Sequence, residues 1–114
     1  MEKIVIPSKD IVHILSQSDI SFCKSDNCYT TFYLIKGEQI VMCKSLTLVM
    51  NLVDPTLFLR VNQSYLVNKN YIKLIDKKSK EVVLIDSIRI PFTIRISDII
   101  SFISRDNILS NDLI

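Results

Sequence analysis

The residues best suited to chemistry lie in one run, Phe58-Leu-Arg-Val-Asn-Gln-Ser-Tyr-Leu-Val-Asn-Lys-Asn-Tyr-Ile72. Amides, a hydroxyl and two cations sit there between apolar side chains. Proton-transfer catalysis gains little from such a set, because Asn62 and Gln63 do not titrate near neutral pH and the run holds no carboxylate or imidazole. Amides suit the edges of bases: an Asn or Gln can make two hydrogen bonds to adenine N6 and N7. Arg60 and Lys69 suit phosphates or guanine. A second reading is equally physical, in which the amides satisfy buried backbone groups at a strand junction.

Other site chemistries are poorly supplied. A single histidine, His13, in an apolar run leaves little for metal binding or imidazole catalysis, and no metal site or cofactor is expected. A single glycine rules out a glycine-rich phosphate cradle. Cys23, Cys28 and Cys43 are an odd number without CxxC spacing, which suits reduced thiols in a cytoplasmic protein. A Cys23–Cys28 redox pair is the alternative. No nucleophile–base pair is visible, so the chain is not expected to be an enzyme.

These residues need a scaffold, and the composition supplies one. The chain has 114 residues, 48% hydrophobic and 23% charged, enough for one globular domain with its own core. The domain is expected over 1–105, with a tail at 106–114. No apolar stretch reaches the ~18 residues of a membrane helix, and the start does not resemble a signal peptide. Isoleucine and valine are frequent and alanine is absent, which favours sheet.

Short apolar runs alternate with turn signals about every ten residues, an all-β pattern. Strands are predicted from Lys3 to Ile6, Ile11 to Leu15, Ile20 to Cys23, Tyr29 to Ile35 and Gln39 to Cys43. The polar cluster 24–27 separates the third and fourth, and Lys36-Gly37 provides a turn with positive φ between the last two. Ser45 is expected to cap a helix with apolar residues from Leu46 to Val53, ended by Asp54-Pro55. Phe58 to Val67 reads as a strand with a polar interruption at 62–64, followed by a turn at 68–70. Ile72 to Ile75 and Glu81 to Ile85 flank a hairpin tip containing Lys77, Lys78 and Lys80. Ile88 to Phe92 is a further strand. Ile96, Ile99, Ile100 and Ile103 then recur at a helical period, with Ser97 or Asp98 as cap.

The net charge of +2 conceals an uneven distribution. Residues 55–105 carry nine basic and four acidic side chains, and residues 1–50 balance. A locally positive half can serve a polyanion through counterion release. The lysines of the hairpin tip can equally be a solvated guard against edge pairing.

The run 58–72 resembles the signature of the LytTR DNA-binding domain, an output domain of bacterial response regulators, approximately F-x-R-V-H-x-S-Y-hydrophobic-V-N-x-x-Y-I. Asp19 to Tyr29, DISFCKSDNCY, resembles the family's early strand and loop. Lys44-Ser45-Leu46 resembles the start of its helix, and Ile90-Pro91-Phe92-Thr93-Ile94-Arg95 its closing motif. These blocks stand in the family's order over residues 19–95. The resemblance implies a mainly β fold, an elongated arrangement of small antiparallel sheets with one or two short helices. It also implies loops that enter successive major grooves of double-stranded DNA in transcription regulation. The first base-reading position falls at Asn27, Cys28 or Tyr29, the second in the Asn62-Gln63-Ser64 segment, with Gln63 placed to touch a base, and the third at Arg95. Lys24, Lys44, Arg60, Ser64 and Lys69 are the expected phosphate contacts. The signature histidine is Asn62 here, and the family's acidic residue before the first loop is Lys24. Partners implied are duplex DNA with direct-repeat sites, a second copy on that DNA, and a receiver domain or regulatory partner outside this chain. The competing function is a protein-interaction module that keeps the fold and has lost DNA binding. In that reading the edge strands and Ile108, Leu109, Leu113 and Ile114 pair with a partner.

Overall fold

The computed structural model describes residues 3–104. Ten strands form three antiparallel sheets among them, with two helices. A hairpin of β1 (Lys3–Pro7) and β2 (Val12–Ser16) comes first. The central sheet contains β3 (Ile20–Asp26), β4 (Tyr29–Leu34), β5 (Gln39–Met42), β6 (Phe58–Arg60) and β7 (Tyr65–Asn68), in the order β5-β4-β3-β7-β6. A third sheet follows, of β8 (Ile72–Asp76), β9 (Glu81–Leu84) and β10 (Arg89–Pro91). Helix α1 (Leu46–Val49) links β5 to β6, and α2 (Ile96–Ser104) closes the described chain. The extents of 51 × 27 × 24 Å make the molecule elongated.

Side chains alternate across the central sheet and feed two cores. Cys23, Phe32, Phe58 and Leu66 join Ile4, Ile6, Leu46 and Val49 on one face. Phe22 and Val67 join Val82, Leu84, Ile90 and Ile99 on the other. The central strands β3 and β7 are therefore covered on both faces over residues 20–23 and 66–68, where every successive residue is buried.

Several expectations need correction. Phe58–Val67 is a hairpin: the polar interruption is its turn, and Phe58 pairs with Asn68. Helix α1 is a single turn capped by Ser45, whose Oγ accepts from Leu48 N–H at 3.3 Å. Past Val49 the chain winds more tightly, through Asn51 N–H to Leu48 O and Leu52 N–H to Val49 O. Helix α2 starts before Ser97 and Asp98, because Arg95 C=O accepts the N–H groups of Asp98 and Ile99. The Cys23–Cys28 pair is also excluded. Cys23 lies in the core, where burial pushes its thiol pKa up, and Cys28 is exposed at the hairpin tip. The expected tail and its apolar residues lie outside the described residues.

Candidate nucleic-acid interface

Three connections meet along one end of the central sheet. The first is the β3–β4 turn at Asn27-Cys28, with Asp26 paired to Tyr29. Asn27 takes φ 58°, the sign favoured by two-residue hairpin turns, and Asn tolerates it better than most residues. Asn27, Cys28 and Tyr29 are all exposed. Lys44 joins this end because its carbonyl accepts from the buried Thr30 hydroxyl at 2.8 Å.

The second connection is the β6–β7 turn. Asn62 organises it. Its Oδ1 accepts the N–H groups of Ser64 at 2.7 Å and Tyr65 at 2.9 Å, and its Nδ2 donates to Pro91 C=O at 2.6 Å. Arg60 braces the same turn: Nη2 donates to Gln63 C=O at 2.6 Å, Nε to Asn62 C=O at 3.3 Å, and Nη1 to Thr47 Oγ1 at 3.1 Å. Of the two readings open for the amides, Asn62 takes the backbone-satisfying one. Arg60, expected at a phosphate, instead holds loop carbonyls. Between these braces Gln63 and Ser64 remain exposed, beside a groove of about 460 Å³ lined by Asn62, Gln63, Ser64, Tyr65, Pro91 and Thr93.

The third connection runs from β10 into α2. Arg95 stands at its end with its side chain 81% exposed, and its fork donates to both oxygens of Asp98 at 3.2 and 3.3 Å.

Backbone hydrogen bonds tie the three together. Ser25 N–H donates to Ser64 C=O at 2.8 Å, joining the first to the second. Thr93 N–H donates to Val61 C=O at 2.9 Å, joining the second to the third. The β6–β7 turn thus sits between the other two. Lys24, exposed on β3, extends its ammonium over the Tyr65 ring at 5.9 Å, and Tyr65 leans on Phe22 with ring centroids 6.0 Å apart.

Lys69 does not join this end. It follows β7 at the far side of the sheet, with its ammonium 5.5 Å from the centre of the Phe102 ring. Lys80, left open in the sequence between polyanion contact and a solvated tip, does join: Phe92 N–H donates to its carbonyl at 3.0 Å, which sets the lysine-rich hairpin against the third connection. The basic surplus at 55–105 was the available signal for it. Asp98 was missed as Arg95's partner, although its i,i+3 spacing was readable. In the hairpin, Asp76 accepts the N–H groups of Lys78 and Ser79, and Arg89 bridges Asp76 and Glu81. The Ser79 N–H, followed by Arg89, lowers the Asp76 pKa to about 2. Asp76 in turn raises that of Arg89.

Among the described residues no group of three or more His, Cys, Asp or Glu side chains is placed to hold a metal, and no helix is long and apolar enough to cross a membrane.

The family model of the LytTr DNA-binding domain matches residues 10–101. The fold is similar to a solved LytTr DNA-binding domain from a Bacillus cereus protein described as a methyl-accepting/DNA response regulator. The TM-score is 0.69 at 18% identity, covering 92% of this chain and 95% of that one. A search of curated proteins finds no match to the chain.

Proposed function

The chain belongs to the LytTR family of DNA-binding domains, and from that premise we propose that it binds duplex DNA sequence-specifically in bacterial transcription control. The observation that carries this reading is the tying of three exposed connections into one surface, through Ser25–Ser64 and Val61–Thr93. The outer two, at Asn27-Cys28-Tyr29 and at Arg95, enter successive major grooves, and Gln63 reads between them. Arg95 leaves Asp98 to meet guanine O6 and N7, the usual bidentate partner of a guanidinium. Lys24, Lys44 and Ser64 contact phosphates, joined by Lys80. Arg60 and Asn62 position the central turn without touching a base. The sites are direct repeats, a second copy occupies the neighbouring repeat, and a receiver domain or regulatory partner controls binding in the cytoplasm.

Selection of bound duplexes from a random library tests the reading. A motif with half-sites about one helical turn apart is expected. Arg95→Ala should lose about 1–3 kcal/mol of discrimination at one base position, while Lys44→Ala should weaken all sequences alike. Unchanged sequence preference in Arg95→Ala would overturn the assignment of that residue. No binding to any duplex at low salt, with a stable dimer in sizing, would favour an interaction module instead.

A further inference from the structure

We propose that a cavity at the end of the central sheet remote from the reading turns binds a small amphipathic amine. Strand β4 spans Tyr29–Leu34, so the cavity lies roughly 17 Å from the Asn27-Cys28 turn at ~3.4 Å per residue. Its volume is about 270 Å³, just below the ~300–1,000 Å³ typical of small-molecule sites, which suits a ligand of one ring. Ser21, Phe22 and Tyr33 line it from β3 and β4. Gln39 and Asp86 with Ile88 form its rims, from the start of β5 and from the β9–β10 connection.

A β-bulge builds the polar end. Ile20 pairs with Leu34 and Phe22 with Tyr33, so β3 carries one extra residue at Ser21. A bulge re-aims side chains, and here Ile20 and Phe22 enter different cores although two residues apart. Ser21 is 2% exposed and lines the cavity. Its hydroxyl is the one buried side-chain polar group among the described residues without a hydrogen-bond partner. Such a group is unfavourable as it stands, and a ligand atom that bonds to it removes the penalty.

The rest of the lining sets the ligand class. Phe22 and Tyr33 stack with centroids 4.3 Å apart and planes 10° from parallel, and with Ile88 they offer an apolar wall to one ring. The lining holds one carboxylate, Asp86, and no cation. It therefore favours an ammonium over an anion, with that ammonium at the exposed rim and the apolar body inside.

A heteronuclear NMR titration of the full chain tests this, with phenethylamine as probe and phenylacetate as its anionic counterpart. Phenethylamine is expected to shift the backbone amides of Ser21, Tyr33 and Ile88 saturably, and phenylacetate to leave them unchanged. Asp86→Asn should weaken phenethylamine binding about tenfold. Asparagine keeps an oxygen for the Ile88 N–H, which Asp86 now accepts at 3.4 Å, so the turn is retained. Ser21→Ala breaks no hydrogen bond among the described residues. Because the single ammonium of phenethylamine sits at Asp86, the change should leave phenethylamine affinity unchanged and should weaken tyramine, whose phenol supplies a second hydrogen-bonding group for the Ser21 hydroxyl, severalfold. Absence of saturable shifts at millimolar probe, equal response to both probes, or unchanged affinity in Asp86→Asn would overturn the proposal.

Discussion

Asn62 illustrates how one side chain can settle a loop. Its amide meets two backbone donors and one backbone acceptor, so it is matched to the turn rather than to an outside ligand. Asn62→Ala would strand the N–H groups of Ser64 and Tyr65 and the carbonyl of Pro91. A destabilisation of about 1–3 kcal/mol in urea unfolding is expected. Asn62→Asp keeps both acceptor contacts but sets a carboxylate oxygen against the Pro91 carbonyl, so its loss should shrink at low pH, where the protonated carboxyl can donate there, and that of Asn62→Ala should not. A loss in Asn62→Asp that is independent of pH would refute the donor role at Pro91. The same logic separates Arg60 from Arg95. Both looked like phosphate or base ligands in the sequence, yet Arg60 is tied to loop carbonyls, and the more exposed Arg95 is held, among the described residues, by Asp98 alone.

Among elements, the hairpins carry the exposed chemistry and their turns carry the conformational demands. Asn27 adopts φ 58° in open solvent. Asn27→Ala should cost about 1 kcal/mol in thermal or urea unfolding, whereas glycine should be tolerated. The β8–β9 tip depends on ionised Asp76. Its pKa falls from 3.8 unfolded to about 2 folded, through the Ser79 N–H first and Arg89 second. A depressed carboxylate pKa adds stability that is complete above the unfolded value and is lost as pH falls through the folded one. The contribution should therefore disappear between about pH 4 and pH 2. Unfolding of Asp76→Asn against the parent protein checks this: the parent should be more stable at pH 7, with the gap closing by pH 2. A constant gap across that range would show that ionisation is irrelevant to the tip.

At the scale of the molecule, charge is distributed more sparingly than the sequence suggests. Of the basic residues in 55–105, Arg60 and Arg89 are engaged internally and Arg95 is paired with Asp98. The end proposed to face DNA keeps Lys24, Lys44 and Lys80 for phosphates, with Arg95 reserved for a base. Three such phosphate contacts correspond to a slope of about −2.7 for log affinity against log salt, and Lys80→Ala should reduce it by about one. Fluorescence anisotropy across a salt series reads both. A slope unaffected by Lys80→Ala would place that hairpin away from the duplex.

Much of the design was legible before any fold was known. Alternation and turn residues located the strands, because a period of two and a break at Gly, Asn or Pro are properties of the local chain. Ser45 as cap and the Gly37 turn followed from the same local rules, and both hold. The order of motifs from residue 19 to 95 indicated the family. What stayed hidden depended on partners far along the chain. Nothing near Asn62 identifies Pro91 as its acceptor, nor does the spacing of Lys80 and Phe92 announce their hydrogen bond. Lys69 and Lys80 are both cations in the basic half, and only the pairing of strands sends one to the far end of β7 and the other to the third connection. The sequence by itself determined the β elements, their turns and the residue types available for DNA. The tertiary structure decided which of those residues face outward together, because a side chain's role is fixed by the neighbours that long-range pairing brings within hydrogen-bonding distance.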